Sequence, residues 1–494
     1  MHELPFSPDR DASEPVYLQL ADHLGRLIAS GRLQPGERLP ASRDLAASLG
    51  LARNTVNQAY QTLIDRDRLR ARVGQGTFVM DEAPIPAEHA GRSAGGRSFV
   101  WESLFSGPAR ALPAHLPREP APTAFDFRPG RVAPELLPLG ELRRLFGRVL
   151  ENEGAELANH LDPRGWPPLR EAIARALVAR GVRCEADEVV VVAGAQQALD
   201  LVARVLIDPG DAVALETPGY FGADFAFRAA RAHRIPIAVD ENGLVTDDLA
   251  RVLGHGRLKL IYTTPAVQLP TGVVLSDERR AHLLELSAAA HVPILEDDYD
   301  GELRLDDPVR PALKTADRAE QVIYVGTFSK AIFPALRLGY VVAPAPLLDR
   351  LATAKLSSAF TTPALEQAVL AEWIRSEGFA RHVRRVRQEI SLRVDAGLEA
   401  IAQCMPEGTL VRRPAGGGGL WMTLPDGFDA RTLVRSARKA DVLALHGAGF
   451  ATGDNIGTAL RRNLLLAVGA VGEGDVREGI ARLGACATEQ GAIR

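Results

Sequence analysis

Five short apolar runs between residues 188 and 327 each break off into a cluster of polar or turn-forming residues, and amphipathic stretches separate them. The runs are EVVVV, AVALE, LKLIY, PILE and VIYV, and their length and bounding turn residues predict buried strands. Between the first two lies AQQALDLVARVL, in which Ala198, Val202, Val205 and Leu206 share one helical face. Strands that alternate with crossover helices predict a mainly parallel sheet within one large α/β unit spanning residues 123–494.

The first eighty residues follow another pattern. PVYLQLADHLGRLIASG places Leu20, Leu24, Leu27 and Ile28 on one helical face, with Gly31 suited to ending the helix. SRDLAASLG predicts a short second helix carrying Leu45 and Leu49 and stopped by Gly50. ARNTVNQAYQTLI predicts a third, with Val56, Tyr60, Leu63 and Ile64 inward. Two short helices joined by a tight turn form a helix-turn-helix. In RLRARVGQGTFV, Arg68, Arg70 and Arg72 alternate with Leu69, Ala71 and Val73 before a Gly74-Gln75-Gly76 turn, which makes a hairpin with one basic face, a wing. Residues 13–80 are therefore read as a winged helix-turn-helix unit. Residues 81–122, rich in Pro, Ala, Gly and Ser, are read as a linker with one apolar island, FVWESLFS.

Length and charge sharpen this picture. At 494 residues the chain exceeds one typical core. Its net charge of −4 excludes a uniformly basic nucleic-acid coat, yet between Arg38 and Gly76 seven arginines face only Asp44, Asp65 and Asp67. Such a local excess is what phosphate contact requires, although a helical bundle with a busy surface reads equally well from pattern alone. Cys184, Cys404 and Cys486 are widely spaced and odd in number, so neither a disulfide framework nor a metal cluster is expected, and a reducing cytoplasm is. The N-terminus lacks an apolar signal-like core and no stretch is long enough to span a membrane, so a soluble, cytoplasmic protein is expected.

The candidate chemistry sits just past the strands. The first leads to Gly194-Ala195 and a helix start, a natural anion site. The others deliver Tyr220, then Gln268, then Asp297 and Tyr299, then Thr327, Ser329 and Lys330, with Arg337 shortly after. In an open parallel sheet these ends share the edge where ligands bind. An amine, a carboxylate, phenols, hydroxyls, a guanidinium and backbone amides are the set that a phosphorylated aromatic aldehyde requires. Singly, each has a bland reading: Lys330 as a solvated strand end, Asp297 as a turn former, Tyr220 as a core aromatic, Arg337 as an ion-pair partner.

The motifs carry a family resemblance. The segment from PVYLQLADHLG to VGQGTFV resembles the winged helix of GntR-type regulators, and DPRGWPPLREAIARAL, AGAQQALDLVARVLIDPGD, ETPGY, QLPTG, EDDYDGE and GTFSKAIFPALRLGY resemble the fold-type I aminotransferase domain of the MocR/GabR subfamily. The resemblance implies pyridoxal 5'-phosphate (PLP) held as an aldimine on Lys330, with Asp297 at the ring nitrogen, Tyr299 and Gln268 near the ring hydroxyl and Tyr220 stacked on the ring. Ala195, Gln196, Thr327, Ser329 and Arg337 would hold the phosphate. Arg43, Arg53, Asn54, Thr55 and Asn57 would contact double-stranded operator DNA, with Arg70 on the wing and Gly74 at its tip. The implied function is a homodimeric, PLP-dependent transcription regulator that senses a small amine or amino acid; the alternative is an aminotransferase with an accessory DNA-binding module. Three departures stand out. Val267 and Leu269 flank Gln268 where His and an aromatic are common, Ala52 precedes Arg53 where Ser or Thr is common, and Leu465 occupies the place of the arginine that clamps a substrate α-carboxylate.

Overall fold

A computed structural model describes residues 6, 8, 15–29, 32–34, 36–65, 68–72, 76–80, 101–113, 120–159, 162–256, 258–306, 310–453 and 460–492. The chain divides into two compact units, residues 1–101 and 102–494.

The first unit contains α1 (Val16–Ala29), α2 (Ser42–Leu49), α3 (Arg53–Asp65), β1 (Leu69–Arg72) and β2 (Gly76–Val79). Leu20 and Leu24 of α1 meet Leu45 of α2 and Val56, Tyr60 and Leu63 of α3 in one small core. Gly50 ends α2 in the left-handed conformation, φ 65°, and its N–H bonds the Ala46 carbonyl, a geometry that glycine adopts without strain. The Tyr60 hydroxyl donates to the Pro40 carbonyl at 2.8 Å and so ties α3 to the turn before α2. β1 and β2 pair antiparallel, Arg70 opposite Phe78. Gly31 and Gly74 lie outside the described residues.

In the second unit, β3 (Phe125–Asp126) precedes the strands of an eight-stranded sheet: β4 (Val189–Val192), β5 (Ala212–Thr217), β6 (His233–Asp240), β7 (Gly243–Leu244), β8 (Leu258–Thr263), β9 (Ile294–Asp298), β10 (Val322–Thr327) and β11 (Gly339–Val342). Their order is β4-β11-β10-β9-β8-β5-β6-β7. β10, β9, β8, β5 and β6 pair in parallel; β11 runs against both β10 and β4, so β4 shares their direction. β4 shows why these runs are so apolar. Val189 and Val191 enter one core with Tyr324 and Tyr340, while Val190 and Val192 enter another with Leu215 and Val325. Both faces are covered, and each buried valine contributes roughly 1.5–3 kcal/mol. A smaller antiparallel sheet follows, β12 (Leu410–Val411), β13 (Gly419–Thr423), β15 (Leu445–His446) and β16 (Asn463–Ala467), while β14 (Val442–Leu443) pairs with β3. Three helices matter for the site: α4 (Ala195–Leu206), α5 (Phe221–Ala229) and α6 (Gly378–Cys404). Among the described residues no helix is long and apolar enough to cross a membrane.

Candidate functional site

Parallel pairing brings the ends of β4, β5, β8, β9 and β10 to one edge of the sheet, and the candidate residues gather there. Asp297, on β9, is 2% exposed. Its Oδ2 accepts a 2.9 Å hydrogen bond from the hydroxyl of Tyr262 on β8, and its Oδ1 is buried without a hydrogen-bond partner among the described residues. Buried carboxylate oxygens seldom go unpaired, and this one suits a protonated ring nitrogen. Burial, with Asp298 and Glu216 close by, pushes the Asp297 carboxyl up to about 7; the Tyr262 hydrogen bond and the Lys330 charge pull the other way.

The strand holds Asp297 from both sides. Glu296 accepts the N–H groups of Leu313 and Lys314 at 2.7 and 2.8 Å. Asp298 pairs with Arg180 and accepts the Tyr324 hydroxyl at 2.8 Å. Lys330 follows β10, and its Nζ stands 5.7 Å from the centroid of the Tyr299 ring. Lys330 and Tyr299 line a cavity of about 90 Å³ together with Val267, Leu269, Asp300 and Leu465. Behind Lys330, His382 of α6 donates from Nε2 to the Ala331 carbonyl at 2.9 Å and so steadies the loop that carries the amine.

The start of α4 supplies the anion end. Gly194 has φ 78°, and a Cβ there would come 3.1 Å from the Arg337 guanidinium. Glycine thus lets Arg337 lie over the turn, where its Nη2 donates to the Ala193 carbonyl at 2.7 Å. The Ser329 hydroxyl is buried without a partner among the described residues, and its N–H donates to Thr327 Oγ1 at 3.2 Å. A helix start at Ala195, a hydroxyl without a donor or acceptor and a guanidinium suit a phosphate. Gln196 serves as a brace: its Nε2 donates to the Gly222 carbonyl at 2.9 Å and its Oε1 accepts the Tyr220 hydroxyl at 3.3 Å. Burial and the Asp297 charge push the Tyr220 phenol up to about 12, so it stays neutral.

Gln268 is not brought into the cavity. Its Nε2 donates to Glu216, Pro218 and Leu269 oxygens at 3.2, 2.7 and 2.7 Å, and its Oε1 accepts from both the N–H and the hydroxyl of Thr271. The amide helps satisfy Glu216, a fully buried carboxylate that also takes hydrogen bonds from Thr263 and Thr264. Tyr262, Glu216 and Asp300 are functional or supporting residues absent from the sequence-based set. The hydroxyl-rich strand end YTTP was the available signal.

A further pair of residues borders the cavity. Asp126 of β3 grips Arg128 through Nε–Oδ1 at 2.8 Å and Nη2–Oδ2 at 2.6 Å, and holds the Nε of Arg131 at 2.8 Å. Both arginines line the cavity and also a wider adjoining groove. By contrast, Arg461 is exposed, and Arg462 pairs with the exposed Asp426, while Leu465 on β16 is buried in the cavity wall.

The acids of β9 set a pH signature. An aspartate near 4 in the unfolded chain and near 7 when folded favours folding while protonated, and that advantage disappears as pH rises through 7. The cofactor-free protein should therefore be less stable, and melt lower, at about pH 8 than at about pH 5, with roughly 3 kcal/mol of the difference coming from Asp297. Glu296, raised to about 7, and Asp300, raised to about 6, act in the same direction. Asp297→Asn should flatten the slope and Tyr262→Phe should extend it to higher pH, both followed by thermal melting.

In the first unit, the side chain of Arg43 near the start of α2 is 84% exposed. Arg53, Asn54 and Asn57 are exposed on α3, Thr55 is half-buried, and Arg70 is exposed on β1 while its neighbour Leu69 is buried.

Residues 16–79 match the gntR family of bacterial regulatory proteins, and residues 138–461 match aminotransferase class I and II. The chain is 37% identical over 383 residues to a probable rhizopine catabolism regulatory protein, MocR, of Rhizobium meliloti, covering 77% of this chain and 76% of that one. It is 34% identical over 462 residues to the HTH-type transcriptional regulator TauR of Rhodobacter capsulatus, covering 92% and 93%. Among solved structures, a multiple substrate aminotransferase from Thermococcus profundus superposes with a TM-score of 0.74 at 31% identity, over 80% of this chain and all of that one. LysN, an α-aminoadipate aminotransferase from Thermus thermophilus complexed with N-(5'-phosphopyridoxyl)-L-leucine, gives 0.73 at 31% over the same shares. A helix-turn-helix module and a PLP-dependent aminotransferase fold on one chain define a DNA-binding regulator built on an enzyme scaffold. The chain belongs to the MocR-type GntR regulators.

Proposed function

We propose that residues 13–80 bind operator DNA, that residues 123–494 bind PLP and a small amine or amino-acid effector at Lys330, and that residues 81–122 link the two. The observation that carries the cofactor assignment is Asp297 Oδ1, a buried oxygen without a donor at the same sheet edge as Lys330. When bound, PLP supplies an aldehyde that reacts with primary amines and a ring that withdraws electrons from them. Lys330 supplies the amine. Asp297 keeps a proton on the ring nitrogen, and Tyr262 fixes the carboxylate by holding its other oxygen. Tyr220, braced by Gln196, covers the ring, and Tyr299 lies beside Lys330. Ala195, Thr327, Ser329 and Arg337 hold the phosphate, while Gln268 acts from beneath by satisfying Glu216.

Occupancy of this site shifts the balance between arrangements of the two units, which changes how the DNA-binding modules engage. Two copies of the chain place two such modules on repeated half-sites of the operator. The test is operator affinity and footprint with the cofactor-free and the PLP-loaded chain. A change in either is expected, and identical affinity and footprint exclude control by the cofactor. Sustained turnover of an amine donor with a keto acid is the mark of the aminotransferase reading.

A further inference from the structure

Lys355 is a cation sealed inside the protein. It lies on the helix Ala345–Ala359 and is 0% exposed. Its Nζ donates at 2.7 Å to the Val191 carbonyl of β4 and at 2.7 Å to the Pro163 carbonyl. Among the described residues no acid touches it, and Asp162 acts on it only through space. An ammonium held out of water ordinarily has a counter-charge, and burial lowers this one to about 8. Other charged groups on the elements packed against it are Glu185, Glu188, the exposed Arg350 and three pairs, Arg164–Asp349, Arg170–Asp187 and Asp200–Arg204. From α4, Leu199 and Val202 share a core with Leu348 and Leu351 of the lysine's own helix.

β4 is a terminal strand of the eight-stranded sheet, so its outer edge has no neighbouring strand to bond. Residues 162–166 cover that edge instead. Gly165, at φ 109°, lies so flat on β4 that a Cβ would come 2.6 Å from the Val191 side chain, and the Arg164 carbonyl takes the Val191 N–H at 2.8 Å. Lys355, with the Thr362 hydroxyl at 3.5 Å, takes the Val191 carbonyl and so completes the outward bonding of the last residue but one of β4. Two residues on, the Ala193 carbonyl accepts Arg337, and Gly194 opens the start of α4. The lysine thus fixes the strand from which the phosphate end of the site grows, and it places a positive charge without a contacting acid beside that strand.

Resting on the reading of Ala195, Ser329 and Arg337 as the phosphate holders, we propose that Lys355 is a positioning residue for the cofactor's phosphate, pinning the end of β4 and supplying a buried charge that the dianion offsets. Its counter-ion is then the cofactor itself. Removing that charge weakens the hold on the phosphate and leaves the ring and aldehyde ends of the site untouched.

PLP and pyridoxal, which lacks the phosphate, separate the possibilities, because both form the same bond to Lys330 and a change in that bond cancels in their ratio. Each is titrated into the cofactor-free full chain, from about pH 7 to about pH 9.5, while the visible absorbance is followed. Lys355 carries its proton at the lower end of this range and loses it as pH rises through about 8. The preference for PLP over pyridoxal should therefore fall by nearly tenfold, the size of about one unit of pKa coupling to a phosphate that stays doubly charged throughout. Lys355→Met should show the loss already at about pH 7, about tenfold for PLP and far less for pyridoxal, with a preference that no longer varies with pH. Lys355→Gln, which keeps a donor without the charge, should behave alike. A preference that stays constant with pH in the parent, or a variant that loses both ligands equally, overturns the proposal, and the parent's profile decides it if neither variant folds. A parent chain that never acquires colour with PLP overturns the Lys330 reading instead.

Discussion

Lys330→Ala should give a folded chain that loses its PLP on dialysis, stays colourless, and binds operator DNA with an affinity indifferent to effector. Lys330 is only partly buried and follows the end of β10, so truncating it removes the amine without opening the core that Phe328 and Ile332 fill on either side. Melting should change little. What disappears is the covalent hold and, with it, the coupling between the two units. Allosteric coupling of the usual size changes operator affinity by roughly 5- to 150-fold, so the variant should reduce that ratio to one. Lys330→Arg makes a useful companion, since it keeps the positive charge beside Asp300 but cannot form the bond. If either variant keeps a covalently attached pyridoxyl group through borohydride treatment and dialysis, or still responds to effector, Lys330 is not the reactive amine.

The parts of this site that sequence reveals are those whose chemistry is local. A lysine five residues past the apolar run VIYV is visible without coordinates, and so is an acid inside ILEDD, because parallel strands present their ends together. Leu465 is equally visible as a departure, although only the structure places it in the wall of the Lys330 cavity. The rest depends on distant partners. Tyr262 reads as a core aromatic within LKLIY, and the pairing of β8 with β9 is what brings its hydroxyl to Asp297, 35 residues on. Gln268 reads as a ligand because it follows a strand, but the buried Glu216 on β5, 52 residues earlier, needs donors and claims its amide. Nothing local announces that need. Arg128 and Arg131 escape for a similar reason: nothing local in FDFRPGRV marks them out, and the cavity they border is completed by β16 and α6, far along the chain. The small unit was more legible, because its core is made of helical faces that each show their own period, from Leu20 and Leu24 to Val56, Tyr60 and Leu63.

The two arginines of that unit should fail in different ways when replaced. Arg53 opens α3, the second helix of the helix-turn-helix and the element that enters the major groove in such modules. It is exposed, and the first turn of α3 contains no acid. A guanidinium there suits the acceptor edge of a guanine, so Arg53→Ala should cost about 1–3 kcal/mol on the cognate operator and little on scrambled DNA, erasing most sequence preference. Arg70 lies on the exposed face of β1, opposite Phe78, where strand alternation turns Leu69 inward. A wing at that position meets backbone phosphate, which is the same for every sequence. Arg70→Ala should therefore weaken cognate and scrambled DNA alike and lower the slope of log affinity against log salt by about 0.9, the counterion contribution of one phosphate contact. Neither change touches the small core, so both variants should melt like the parent. The decisive measurement is a salt titration of each variant on both DNAs. If Arg53→Ala weakens the two equally, or if Arg70→Ala leaves the salt slope intact, the assignment of α3 to bases and of the wing to phosphates is wrong.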